Sequence, residues 1–166
     1  MSLSDRRHVL SSLGAGLLLS GCFRPMLAED GQASALRGQI VLPDIEGRLG
    51  YYLYQSLEDR LGRPEGDRYR LDVAISTEDR GLAISQDNDV TRISVTATVA
   101  WALYLRDGTE PVLRDREVSQ SGYNATGSLF ATRQTRLDIE RRLARDLGER
   151  ISRAILARSR QIARAS

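Results

Sequence analysis

From Arg92 to Leu105 the chain reads RISVTATVAWALYL, and every second residue is apolar. Ile93, Val95, Ala97, Val99, Trp101, Leu103 and Leu105 fall on one side of an extended strand. Arg92, Ser94, Thr96, Thr98, Ala100, Ala102 and Tyr104 fall on the other. A strand so patterned needs an apolar layer against one face only, and its second face stays wet or docks on a partner.

Two segments have the spacing to supply that layer. Leu49, Leu53, Leu57 and Leu61 recur every four residues, and Gly62 and Pro64 follow as stop signals, which predicts an amphipathic helix of about fourteen residues. Ile139, Leu143, Leu147, Ile151 and Ile155 repeat the same spacing in a longer helix that Ser128 is placed to cap. Its pairs Asp138 with Arg142, Asp146 with Arg150 and Glu149 with Arg153 stand in the favoured i,i+4 order. Drawn from Leu129 to Arg160, this helix is about 48 Å long at 1.5 Å per residue. A small sheet cannot cover that length, so the arginine-rich C-terminal end is expected to project or fray.

The remaining elements are strands. Gln39 to Ile45 holds Ile40-Val41-Leu42 before Pro43, which suits a short strand at a sheet edge. Tyr69, Leu71, Val73 and Ile75 alternate with Arg70, Asp72, Ala74 and Ser76. Leu82 and Ile84 are in the opposite phase, so a bulge is expected across Glu78 to Gly81, with Gly81 as pivot. Asp87-Asn88-Asp89 reads as a turn and Asp107-Gly108 as a hairpin signal, after which Pro111 to Ser121 returns antiparallel with poor alternation. The expected fold is α+β: a two-layer sandwich of order β-α-β-β-β-α, with two helices on one face of a mostly antiparallel four-stranded sheet. If the first two strands pair in parallel, their crossover is expected to be right-handed.

The N-terminal residues read as an address. Arg6-Arg7 precede the mainly apolar run Val9 to Leu19, about half of the 20 or so residues a membrane-spanning helix needs. Leu19-Ser20-Gly21-Cys22 then resembles a bacterial lipobox, in which the cysteine is diacylated and becomes the mature N-terminus; a free cysteine after a plain secretory signal is the alternative. Residues 1–21 are thus expected to be a signal peptide, 22–38 the lipidated N-terminus and tether, and 39–166 a single α+β domain. The residues Asp5-Arg6-Arg7 are similar to a twin-arginine export motif but carry an acid where Ser or Thr is usual, which leaves the export route open. Cys22 is followed by Phe23 and not by the Asp that retains lipoproteins at the inner membrane. By resemblance, the destination is the periplasmic side of the outer membrane.

Composition narrows the chemistry. All basic residues are arginine, and without the leader 22 of them face 21 acids, a net charge of +1. A nucleic-acid partner is not indicated by so even a balance. The sole histidine, His8, leaves with the leader and the sole cysteine, Cys22, is acylated, so a Ser-His-Asp triad, a Cys-His pair and the usual zinc ligand sets are excluded. Asp87-Asn88-Asp89 is similar to the opening of a calcium loop, but no Gly stands at the sixth position and no Glu at the twelfth. The Asn124-Ala125-Thr126 sequon carries little meaning in a bacterial lipoprotein. No enzyme activity, cofactor or metal is expected.

Taken together, Leu19 to Pro25, the Thr91-Arg92 entry to the alternating strand, Tyr123-Asn124 and the terminal amphipathic helix resemble the LptE family of lipopolysaccharide-assembly lipoproteins. The resemblance implies a non-enzymatic plug and assembly subunit inside the outer-membrane β-barrel LptD, aiding lipopolysaccharide insertion into the outer leaflet and binding it through basic side chains. Arg92 and Arg70 are the candidate lipopolysaccharide contacts, and Ser94, Thr96 and Thr98 the candidate partner-facing surface. A solvated Arg92, or one paired with Asp72 or with an acid of the hairpin turn, is the structural alternative. Arg114 and Arg116, interleaved with Asp115 and Glu117, read as structural, and Trp101 and Tyr123 as packing residues. A periplasmic lipoprotein of another class, such as a cell-wall synthase activator or a secretin pilotin, remains the competing reading, and a lipid-anchored hydrolase using paired carboxylates a weaker one.

Overall fold

The computed structural model describes residues 31–84, 90–124 and 128–165. Its elements are α1 (Gln32–Leu36), β1 (Ile40–Val41), α2 (Gly47–Leu61), β2 (Tyr69–Ile84), β3 (Val90–Leu105), β4 (Pro111–Asn124), α3 (Leu129–Ala157) and α4 (Ser159–Arg164). They form one four-stranded sheet in the order β1-β2-β3-β4. β1 runs parallel to β2, with Ile40 opposite Tyr69, and the other two pairings are antiparallel. The α+β architecture and the β-α-β-β-β-α order are those the sequence predicts, with short helices added at either end.

The alternation of β3 becomes a two-sided sheet. Val95, Ala97, Val99, Trp101 and Leu103 are buried beneath the helices, joined from β2 by Tyr69 and Leu71. Leu53, Leu57, Leu147, Ile151 and Ile155 meet them with no exposed surface, each worth about 1.5–3 kcal/mol on burial. Gly62, at φ +83, stops α2 where a side chain would be strained, and its N–H donates to the Glu58 carbonyl at 2.9 Å. Ser128 caps α3 by accepting from the Ala131 N–H. The register of β2 on β3 shifts between Gly81 and Ala83, where the apolar phase changes.

Several expectations are corrected. The strand drawn over Gln39 to Ile45 shrinks to Ile40–Val41. Pro43 has no N–H to donate, and the chain is already turning toward α2. β4 continues past Ser121 to Asn124, with Tyr123 paired to Ile93. The helix drawn to Arg160 breaks at Arg158, and α4 folds back onto α1, burying Ile162 completely. Its overhang is therefore at the other end: no residue from 130 to 138 is buried, and Phe130 is 73% exposed. The packed fold also begins before residue 39, because α1 places Ala33 and Leu36 in the core and the Gly38 N–H donates to the Leu61 carbonyl. The leader, Cys22 and the Asp87-Asn88-Asp89 turn lie outside the described residues.

Candidate functional site

The face of the sheet away from the helices is built by the even-numbered residues of three strands. Its rows, read across β2, β3 and β4, are Ser76, Thr98 and Val118; Ala74, Ala100 and Arg116; and Asp72, Ala102 and Arg114. No described element covers it. Alanines at the centre leave an open hollow of about 610 Å³, with Arg114 and Arg116 on the β4 side and Asp72 on the β2 side.

Register sorts the charges of β4, which local sequence leaves mixed. Asp115 and Glu117 point to the helix side with Leu113 and Ser119, whereas Arg114 and Arg116 point outward. Two bonds hold the inward set. Ser119 Oγ donates to Asp146 Oδ2 at 2.6 Å, and Arg158 Nη2 donates to Asp115 Oδ2 at 2.9 Å. The Arg116 backbone N–H and then Arg158 hold the Asp115 carboxyl below its ordinary value of 3.8. Burial pushes the Asp146 carboxyl up, but Arg150, Ser119 and the charge of Arg153 outweigh it and leave it lowered. This inward bonding also explains the poor alternation of β4, since polar residues occupy positions where hydrophobic ones would mark the buried side.

On the outer face the remaining charges divide into paired and unpaired. Arg70 donates through Nε to Asp72 at 3.1 Å and lies 4.8 Å from the Tyr104 ring centroid, and Arg80 pairs with Glu78 at 2.9 Å. Arg92, Arg114 and Arg116 are exposed, and their guanidinium groups form no hydrogen bond or ion pair among the described residues. Among the described residues the face thus presents three unpaired cations. The structure does not bring Arg92 and Arg70 together: Arg70 lies opposite Tyr104 and Arg92 opposite Ala83, twelve residues apart along β3, about 40 Å at 3.3 Å per residue. Asp72 is bound to Arg70, not Arg92.

Of the three sheet positions predicted to face a partner, Thr96 and Thr98 are half-buried on the outer face. Ser94 lies there too but is only 3% exposed, because the Gln120 amide donates to its hydroxyl at 2.7 Å. That cross-strand cover corrects the expectation of an accessible Ser94. Trp101 is buried in the core, and its indole N–H has no acceptor among the described residues. Tyr123 turns to the helix side, where it joins Asp79 and Glu140 around Arg136. Burial lowers the Arg136 pKa, but its bonds to Asp79, Tyr123 and Glu140 outweigh this and raise it, so the cation stays charged.

The expectation that Arg114 and Arg116 are structural did not foresee that they stand exposed and unpaired among the described residues. Their signal was the strict alternation of Arg with acid over Arg114 to Glu117, which is what a strand with a basic face and an acidic face produces.

The domain thus has two layers, with one sheet face packed by helices and the other polar, cationic and uncovered by described elements. Comparison with known proteins places it further. The LptE family, described as lipopolysaccharide-assembly, matches residues 36–155. The chain belongs to the LptE family. A putative lipoprotein from Caulobacter crescentus shares the fold at a TM-score of 0.62 and 22% identity, over 76% of this chain and 93% of that one. A minor lipoprotein from Acinetobacter baumannii does so at 0.56 and 19%, over 71% and 88%. Rare lipoprotein B from Shewanella oneidensis follows at 0.56 and 14%, over 72% and 92%. No curated protein matches the chain.

Proposed function

We propose that this LptE-family chain is a lipid-anchored subunit on the periplasmic side of the outer membrane, held through Cys22, that plugs and helps assemble the β-barrel LptD. In that position it aids insertion of lipopolysaccharide into the outer leaflet and binds it directly. Its role is non-catalytic. The observation that carries this reading is family membership over residues 36–155, and the uncovered polar sheet face gives it a physical basis, because the interior of such barrels is polar. A lipid on Cys22 would supply the membrane attachment.

Arg92 is the residue of choice for lipopolysaccharide phosphates, since a free guanidinium makes bidentate, charge-assisted bonds to phosphate oxygens. Arg70, held by Asp72, has to break an ion pair first. The test is purification of the lipoprotein from solubilised outer membranes. Co-elution with a large barrel, together with reduced surface lipopolysaccharide on depletion, is expected. A monomeric lipoprotein and normal surface lipopolysaccharide refute the reading. Arg92→Ala is expected to weaken lipopolysaccharide binding at least severalfold while changing stability by no more than about 0.5 kcal/mol. Unchanged binding removes Arg92 from the site.

A further inference from the structure

We infer that the alanine-floored hollow between Arg114 and Arg116 on one side and Asp72 on the other is the seat of a carboxylate-bearing β-surface, the part of the barrel wall against which this domain docks. The inference rests on the proposed function and adds to it the place of contact and the chemistry of the partner.

Three observations lead there. The first is shape. Ala74, Ala100 and Ala102 are adjacent across β2 and β3, and their methyl groups are the smallest side chains that still cover a sheet. A facing sheet can therefore approach this patch more closely than the roughly 10 Å usual between packed sheets. Ala74 and Ala100 are exposed, and Val118 is 47% exposed one row away, so apolar surface is available for burial.

The second is charge. Arg114 and Arg116 stand two residues apart on the same side of β4, about 7 Å at 3.3 Å per residue. Their nearest acids in sequence, Asp115 and Glu117, are turned away toward α3, and Asp115 is already bound to Arg158. Two free guanidinium groups at strand spacing match acids at i and i+2 on one side of a facing strand, each able to accept a bidentate pair. Asp72 is neutralised by Arg70 and offers little repulsion to such a partner.

The third is position. β4 is the outer strand of the sheet, with no described strand beyond it, so the two arginines rim the face where an opposing wall first meets it. Phosphate groups also suit arginine, but a flat apolar floor beside the cations is better matched by a protein surface than by a highly charged saccharide. The experiment separates the two.

The full lipidated chain would carry either Arg114→Glu with Arg116→Glu, or Ala100→Trp, which fills the hollow without altering charge. Co-purification with the barrel from solubilised outer membranes is expected to fall at least tenfold for both variants. Lipopolysaccharide binding by the purified variants is expected to stay within twofold of wild type, and their urea midpoints are expected to be unchanged. Variants that co-purify like wild type overturn the inference while leaving the proposed function standing. Loss of lipopolysaccharide binding with the barrel retained also overturns it and makes the patch a phosphate site. A wild-type chain that captures no barrel at all refutes the proposed function, and the docking surface falls with it.

Discussion

Gly148 of α3 sits directly against Ser56 of α2. A Cβ added there would lie 2.5 Å from Ser56 Oγ and 2.6 Å from its Cβ, and Ser56 is itself tied to α3 by a bond from its hydroxyl to the Arg145 carbonyl. Helix propensity alone favours Gly148→Ala by about 0.5–1 kcal/mol. The clash works against this, because both helices are pinned by buried leucines and isoleucines and neither can retreat without opening the core. Overpacking of this kind costs about 1–3 kcal/mol, so the change is expected to destabilise by about 1–2 kcal/mol net. In a Ser56→Gly background the space exists, and the same substitution is expected to be neutral or stabilising. Urea unfolding of the four members of this cycle measures the coupling. Equal effects in both backgrounds would show that the helices do not touch there.

Between elements, the join of α3 to β4 is made by ionised carboxylates and is therefore sensitive to acid. Asp115 and Asp146 have folded-state pKa values below the ordinary 3.8. A depressed carboxylate adds stability that is fully present above its unfolded value and is lost as pH falls through the folded one. Stability is thus expected to decline below about pH 4 and to be flat in this respect from pH 5 to 8. Asp146→Asn is expected to cost about 1 kcal/mol at pH 7, through weaker bonds to Ser119 and Arg150, and progressively less as pH falls below about 4. Urea midpoints of both proteins across that range test this. A gap that does not shrink with acid refutes it. The same join shows why legibility in the sequence is uneven. α2 and β3 could be read because their buried positions are apolar at periods of about four and two. β4 could not be set in register, because Asp115, Glu117 and Ser119 take helix-side positions, where Ser119 bonds Asp146 of α3 and Asp115 bonds Arg158 just past its end. The basic outer face was hidden for the same reason: Arg114 and Arg116 become a site only once register turns their acidic neighbours away. α1 and α4 are too short for any period to show, and their burial exists only because the two ends of the folded chain meet.

At the scale of the whole molecule, that meeting would set where a domain anchored through Cys22 hangs. α1, α4 and β1 gather at the end of the sheet marked by Tyr69, while Arg92 and the exposed Phe130 belong to the far end, about 40 Å away along β3. Eight residues, and so nine Cα–Cα steps, separate Cys22 from Gly31. At full extension these steps reach about 30 Å, so a lipid on Cys22 would keep the Tyr69 end of the domain within about that distance of the anchor. Ile162 is the pin of this arrangement, fully buried in the same core as Ala33 and Leu36. Ile162→Asp places an unpaired carboxylate there and is expected to release α4 and α1 together, lowering stability by about 2–4 kcal/mol. The central sheet, held by β2, β3 and β4, is expected to survive in circular dichroism. Trypsin should then cut after Arg37 many times faster than in the wild type, since cleavage needs the α1 segment to open. Leu36→Ala removes the opposite side of the same contact and should do likewise to a smaller degree. Release would also move the start of the folded domain from residue 31 to about residue 39, nearly doubling the tether's reach to about 60 Å. Unchanged cleavage in both variants would mean that α4 is not what holds α1, and that the distance between membrane and domain is set elsewhere.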